Sequence, residues 1–240
     1  MEIDTNIVGA TITRTDNTKA TTLSVFPSLL KIGLGCRADF EIAVTPWQQT
    51  AMVATSDQVR SSSGTIGDLE FWTKVDFLEE RSTSVAFLPG IKIPAGTRGI
   101  GTQPPGLTLG IPVAIDLPNA WKISLMPGIS SLKSQTGPGR EIALANLFGI
   151  GRNVNKEMIL SMNLSSQLDL ATRQTNQQWS LNIGTDWTPE RHHNLHLDVG
   201  MTFGLRRGLG LEAYAGFAWR FSFRQYALDK VKPCLWKTRH

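Results

Sequence analysis

Between Gly210 and Phe223 the chain reads GLEAYAGFAWRFSF. Leu211, Ala213, Ala215, Phe217, Trp219, Phe221 and Phe223 fall on one face of an extended strand. Glu212, Tyr214, Gly216, Ala218, Arg220 and Ser222 fall on the other. Period-two alternation of this length suits a sheet with one apolar face and one polar or small face. The run exceeds the ~5–6 residues of a typical globular strand. It is long enough for the ~9–11 residues with which a tilted strand crosses a bilayer. Its aromatic cluster falls where a membrane barrel places an interfacial girdle. Such a strand needs partners, and the rest of the chain is read for them.

Helical periodicity is nearly absent. Strand-like runs recur about every ~20 residues, the spacing of an all-β array. They begin with Glu2 to Thr13 and continue with a run carrying Leu23, Val25, Pro27 and Leu29 on its apolar face. The third run alternates Phe40, Ile42 and Val44 with Asp39, Glu41 and Ala43. Residues 46–67, rich in Gln, Ser, Thr and Gly, read as the longest connection. A clean alternation from Asp68 to Phe77 follows, then runs over Val85–Ile93, Leu107–Leu117 and Trp121–Ile129. The remaining runs carry Ile142–Ile150, Met158–Leu164, Trp179–Trp187, Leu195–Phe203 and the opening stretch. The count is about twelve, with long connections after the third, fifth and seventh runs and mostly shorter ones between. Alternating short and long connections and an even strand number predict an up-and-down antiparallel transmembrane β-barrel with both ends on its periplasmic side. Pro27, Pro89, Pro112 and Pro127 lie inside strand-like runs, where each removes a ladder hydrogen bond.

Bulk composition neither supports nor opposes a barrel, because only alternate residues face lipid. Hydrophobic residues make up 41% and mean hydropathy is −0.10. No apolar run reaches the ~18 residues of a transmembrane helix. The opening MEIDTNIVGATITRT has no basic n-region or apolar h-region, so no secretory signal is read there, and the chain is expected to start within a strand. Cys36 and Cys234 form neither a disulfide framework nor a metal-ligand spacing. The net charge of +4 resides in residues 224–240, a basic C-terminal tail following a barrel over residues 1–223. With the barrel neutral overall, no nucleic-acid partner is expected.

The polar face carries the candidate site. Charges of both signs at alternate positions cannot face lipid, which assigns Glu41, Glu70, Lys74, Asp76, Lys92, Lys122, His196, Asp198, Glu212 and Arg220 to the lining of a lumen. Glu2, Asp4, Asp39, Asp116 and Asp186 belong to the same set. This set fits a polar channel and equally a self-paired network that plugs a narrow barrel. Arg60, Arg98, Arg140, Arg206 and Arg207 lie in the connections and form a candidate basic rim for lipopolysaccharide phosphates or acidic solutes. His193 and His196 in RHHNLH point to opposite sides of a strand, so no metal is expected. No H-x-S or G-x-S-x-G word supports a serine nucleophile on the wall. GTRGIG and GPGR lead into no helix and read as loops rather than phosphate cradles. No catalytic residue and no cofactor are expected, and the chain is not read as an enzyme.

Three stretches together resemble a known family: GDLEFWTKVDFLEE, SVAFLPGIKIPAGTRGIG and PGLTLGIPVAIDLPNAWKISLMPGIS. They are similar to the outer-membrane transporter family named for the meta-pathway of phenol degradation, as are LDVGMTFGL and LEAYAGFAWRF near the end. The resemblance spans most of residues 1–223 and rests on strands and turns. It implies a Gram-negative outer membrane and the movement of small hydrophobic or aromatic compounds, with outer-membrane lipid and lipopolysaccharide as surroundings. A closed structural barrel and a soluble β-barrel that binds an apolar ligand are the other readings of the same residues.

Overall fold

A strand that alternates over a dozen residues satisfies its backbone only by pairing on both sides. In the computed structural model, which describes residues 2–15, 18–34, 37–54, 60–93, 105–133, 140–170, 176–205 and 210–221, the pairing runs full circle. Twelve antiparallel strands close into one barrel. They are β1 (Glu2–Thr15), β2 (Thr18–Val25 and Ser28–Gly33), β3 (Ala38–Val44 and Trp47–Ala54) and β4 (Arg60–Thr65 and Leu69–Glu79). β5 (Thr83–Ile93), β6 (Gly106–Gly110 and Val113–Leu117), β7 (Trp121–Lys133) and β8 (Arg140–Asn153) follow. β9 (Met158–Asp169), β10 (Asn176–Trp187), β11 (Leu195–Gly204) and β12 (Gly210–Arg220) complete the wall. Each strand pairs with its chain neighbours, and β12 pairs with β1 from Glu2↔Arg220 to Thr13↔Gly210. Both ends of the barrel wall therefore lie at one rim, which the turns after β2, β4, β6, β8 and β10 share.

Residues 46–67 are not one long connection. Trp47–Ala54 and Arg60–Thr65 continue β3 and β4 and pair with each other, and Trp47–Ala54 also pairs with the outer part of β2. Their Gln, Ser and Thr content hid them, because they show no apolar alternation. Similarly, β7 and β8 reach Lys133 and Arg140, leaving only residues 134–139 between them. β12 ends at Arg220, short of the expected Phe223. Residues 222–240, with the basic tail, lie outside the described residues, as do Cys36 and Cys234.

The four prolines are accommodated in two ways. Pro89 and Pro127 sit within continuous strands. At Pro112 the ladder is interrupted, yet Gly110↔Gly128 and Val113↔Leu125 keep one register across the gap. Pro27 belongs to a larger irregularity. β1 bulges at Ile7, β2 breaks at Phe26–Pro27, β3 at Thr45–Pro46 and β4 at residues 66–68. The breaks lie side by side: the Phe26 amide donates to the Ile7 carbonyl, and the Gly67 amide to the Thr45 carbonyl. Phe26 takes a positive φ of 52°, a costly setting for an aromatic residue. Because each strand carries its irregularity at the same level, register between β1, β2, β3 and β4 is unchanged across the fault.

The phase of inside and outside, however, changes. Gly9 pairs with Tyr214 beyond the fault, whereas Asp4 pairs with Ala218 before it, so residues of opposite parity on β1 share the inner face. On β2, Ser24 faces inward beyond the fault, and Leu29, opposite Asp4, faces inward before it. Leu29 therefore does not continue the apolar outer face of Leu23 and Val25. Along the fault the exposed Ile7, Val8, Phe26, Trp47 and Ile66 form an apolar band on the outside.

At the turn-bearing rim, the loop after β8 is clipped to the loop after β10. The Glu190 amide donates to Glu157 Oε1 at 2.8 Å and Trp187 Nε1 donates to Oε2 at 3.2 Å. These bonds, the Glu190 amide first, hold the Glu157 carboxyl below its ordinary pKa. A depressed folded-state value means that the clip is fully formed above the ordinary Glu range of ~4.3 and is lost as pH falls through the lower folded value. Wild type should thus show an acid-induced change in tryptophan fluorescence that Glu157→Gln abolishes; an unaltered change in the variant would assign the transition elsewhere.

The phase change is open to a labelling test. With Cys36 and Cys234 replaced, single cysteines at positions 23 and 30 should both react with a lipid-soluble maleimide. Cysteines at 22 and 29 should react with a water-soluble one. Unbroken alternation would instead give 23 and 29 the same reactivity, and that result would remove the fault.

Candidate functional site

On β1, β10, β11 and β12 the inward positions carry acids and polar or small residues, with Tyr214 and Arg220 on β12. Asp186 lies directly across from Asp198, and Asp198 from Gly216. His196 lies across from Ala218 and shares a 2.7 Å hydrogen bond between its Nδ1 and the Thr188 hydroxyl. Glu212 lies between Thr202 and Thr11. Among the described residues Asp4, Asp186, Asp198 and Glu212 enter no ion pair. Beside them runs an amide ladder, with Asn163 Nδ2 donating to Asn182 Oδ1 and Asn182 Nδ2 to Thr202 Oγ1.

The opposite side of the wall holds Lys74, Lys92 and Lys122, and Arg220 stands at the seam. Lys92 bridges Glu70 at 2.8 Å and Asp68 at 3.4 Å. Lys74 meets Asp76 at 3.0 Å, within one strand. Near the turns, Lys122 and Asp116 approach to 3.7 Å with both side chains largely exposed. Arg220 meets Glu2 at 3.0 Å across the closing seam. The exposed Lys122–Asp116 pair contributes ~0–1 kcal/mol, so it orients charge more than it holds the wall.

Between these sides lies a cavity of about 610 Å³, bounded by the inner wall from β1 through β8. Leu29, Ala43, Leu88, Met126 and Ala145 give it an apolar surface, and Trp72 gives it an aromatic one. Glu41 and Glu70 line it together with Asp4 and Asp68. The cavity owes part of its shape to the fault, since Pro27, Leu29, Thr45 and Asp68 border it directly below the breaks.

Glycine makes room for the large rings on this wall. Gly90 lies across from Trp72, and a methyl group there would collide with the indole Cε3 and Cδ2. Gly200 stands in the same relation to Tyr214, whose Cζ and Oη would lie 2.5 Å from an added Cβ. Each ring thus occupies the space that a side chain on the neighbouring strand would fill. Trp72 and Tyr214 are the residues that charge-based reading passed over. Their signal was available: both fall on the alternation phase of the charged residues, where a large aromatic has no lipid to meet.

Of the arginines expected at a rim, Arg140 opens β8 and donates to Ser131 Oγ at 3.3 Å. Arg60 opens the outer part of β4. Arg98, Arg206 and Arg207 lie outside the described residues.

No family model matches the sequence and no curated protein matches it. Among solved structures the barrel is similar to an outer membrane channel from Pseudomonas putida F1. That likeness has a TM-score of 0.69 at 12% identity and covers 92% of this chain and 95% of that one. The NanC porin gives a TM-score of 0.60 at 6% identity, covering 91% of this chain and all (100%) of that one. The KdgM porin, solved in complex with disordered oligogalacturonate, gives 0.56 at 8% identity, covering 92% and 100%. At these identities the likeness is one of fold. The chain has the fold of outer-membrane β-barrel channels and porins, and none of these structures is named for phenol degradation.

The ring-over-glycine arrangement predicts a specific coupling. Gly200→Ala should lower stability by about 1–3 kcal/mol through overpacking against Tyr214. In a Tyr214→Ala background the same change should cost close to nothing. Denaturant unfolding in lipid vesicles measures the cycle, and equal costs in the two backgrounds would show that ring and glycine are uncoupled.

Proposed function

We propose that the protein is a channel of the Gram-negative outer membrane that admits small apolar or aromatic molecules. The observation that carries this reading is the cavity of about 610 Å³ inside the barrel, apolar over most of its wall and with Trp72 on it. The volume lies within the ~300–1,000 Å³ range of small-molecule sites. A twelve-strand barrel is also wider than the eight-strand size that side chains just fill. The ten residues Glu41, Glu70, Lys74, Asp76, Lys92, Lys122, His196, Asp198, Glu212 and Arg220 are proposed as its lumen lining.

An outer-membrane position accounts for the exposed apolar outer face, including the band of Ile7, Val8, Phe26, Trp47 and Ile66. In chain order Arg98 falls between β5 and β6 and Arg206 and Arg207 between β11 and β12, while Arg60 and Arg140 open strand segments; we propose these arginines as the basic rim. There they would meet lipopolysaccharide phosphates as charge-assisted donors. Asp116, Lys122 and Glu157 sit at the rim that would face the periplasm.

The test is entry of an apolar fluorescent dye, N-phenylnaphthylamine, into Gram-negative cells with an intact outer membrane. Expression of the chain should raise the initial uptake rate above the vector control. Ala145→Trp, which fills the cavity from β8, should return it toward that control while the folded barrel is still seen as a heat-modifiable band. Uptake equal to the control with wild type would leave a closed structural barrel as the reading.

A further inference from the structure

Among the described residues, the charged groups on the cavity wall are all of one sign. Asp4, Glu41, Asp68 and Glu70 line it, and no described Lys or Arg does. The nearest cations stand behind or beside this surface. Lys92 is held by Asp68 and Glu70, and Lys31 lies across the ladder from Glu41 and Glu2. Among the described residues, two cations against four carboxylates leave the cavity with an excess of negative charge. Neither Asp4 nor Glu41 enters an ion pair among the described residues.

Apolar surroundings make that excess matter. A charge held beside Leu29, Leu88, Met126 and Ala145 is screened less than one in open water. Trp72 adds a second attraction of the same sign, because an indole face draws cations to its negative π-cloud. A neutral hydrocarbon would use the apolar wall and offer no positive charge to Asp4 and Glu41. An organic anion would be repelled by them. A solute with an apolar body and a positive head would satisfy both parts of the surface.

We propose that this cavity selects organic cations, namely quaternary or protonated amines carrying an aromatic or branched alkyl body, over neutral and acidic solutes of similar size. The proposal rests on the reading of the cavity as a solute site and specifies which solutes it prefers. The chain as a whole gives no hint of this, since its net charge is +4. The sign is reversed where the solute would sit.

Calorimetric titration of the full chain in nanodiscs of neutral lipid, with empty nanodiscs as the blank, tests the preference. The probes are phenyltrimethylammonium, benzyl alcohol and benzoate, three small aromatic solutes of charge +1, 0 and −1. Phenyltrimethylammonium should bind about tenfold or more tightly than benzyl alcohol, as expected when ionic and cation–π attraction combine, and benzoate should bind weakest. Glu41→Gln should weaken the cation by roughly three- to tenfold and change benzyl alcohol binding by clearly less. Asp4→Asn should act alike, and serves if Glu41→Gln fails to give a heat-modifiable barrel. Equal binding of cation and alcohol, or a preference that survives both substitutions, overturns the proposal while leaving the solute site standing. Binding of none of the three overturns the proposal and the solute site together.

Discussion

Everything in this structure depends on the seam between β12 and β1. Strands facing hydrocarbon have no water to satisfy their amides and carbonyls, and each unmet group costs several kcal/mol. Pairing from Glu2↔Arg220 to Thr13↔Gly210 removes the two edges that the other strand pairs would leave open. The seam also fixes what may vary elsewhere. Once the ladder is closed, individual bonds can be given up at Pro89, Pro112 and Pro127, because neighbouring pairs keep the register. The same closure lets the first four strands be broken side by side at the level of Ile7, provided that every one of them is broken in step.

Fault and cavity are two aspects of one arrangement. Stepping the alternation by one residue brings Leu29 to the inner face, where a strictly alternating β2 would have placed Ser28 and Leu30. It also places Pro27 and Thr45 at the upper margin of the apolar surface. Electrostatics divide the lumen differently. Among the described residues, acids without ion pairs include Asp4 on β1, Glu41 on β3 and Asp186, Asp198 and Glu212 on β10–β12, whereas Asp68, Glu70 and Asp76 share Lys74 and Lys92. A solute inside would therefore experience a transverse difference in charge as well as an apolar floor.

How much of this could be read from the chain depends on the strand. β7 to β12 were legible because Ile, Leu, Met and Phe alternate with Ser, Asn, Gly and Asp over most of their length, Met126 and Leu147 being exceptions, and one face of each meets an apolar phase. Trp47–Ala54 and Arg60–Thr65 were not, since Gln48, Gln49, Thr50 and the Ser61–Ser63 run carry no contrast between faces. Leu29 was misplaced for a different reason. Parity counting assumes an unbroken strand, and the positive φ of Phe26 is invisible in a residue type that rarely adopts one. Charged inward positions such as Glu41, Glu70 and Lys92 could be named individually, but their gathering around one cavity depends on stagger between strands, which alternation does not encode. Trp72 was on the right face and went unweighed because an aromatic residue there counts equally as wall.

Trp72 and Tyr214 each lie over a glycine of the adjoining strand, so the calibre of the tube at those heights is set by backbone rather than by side-chain length. A ring of that size on an ordinary wall would stand across the bore. Here it is recessed by the depth of one missing methyl group. Restoring that methyl at position 90 or 200 would tilt the ring toward the axis, leaving the ring itself and every lumen charge unaltered. Clearance in this barrel can thus be adjusted in steps of a single carbon, from a strand that contributes no functional side chain at that point.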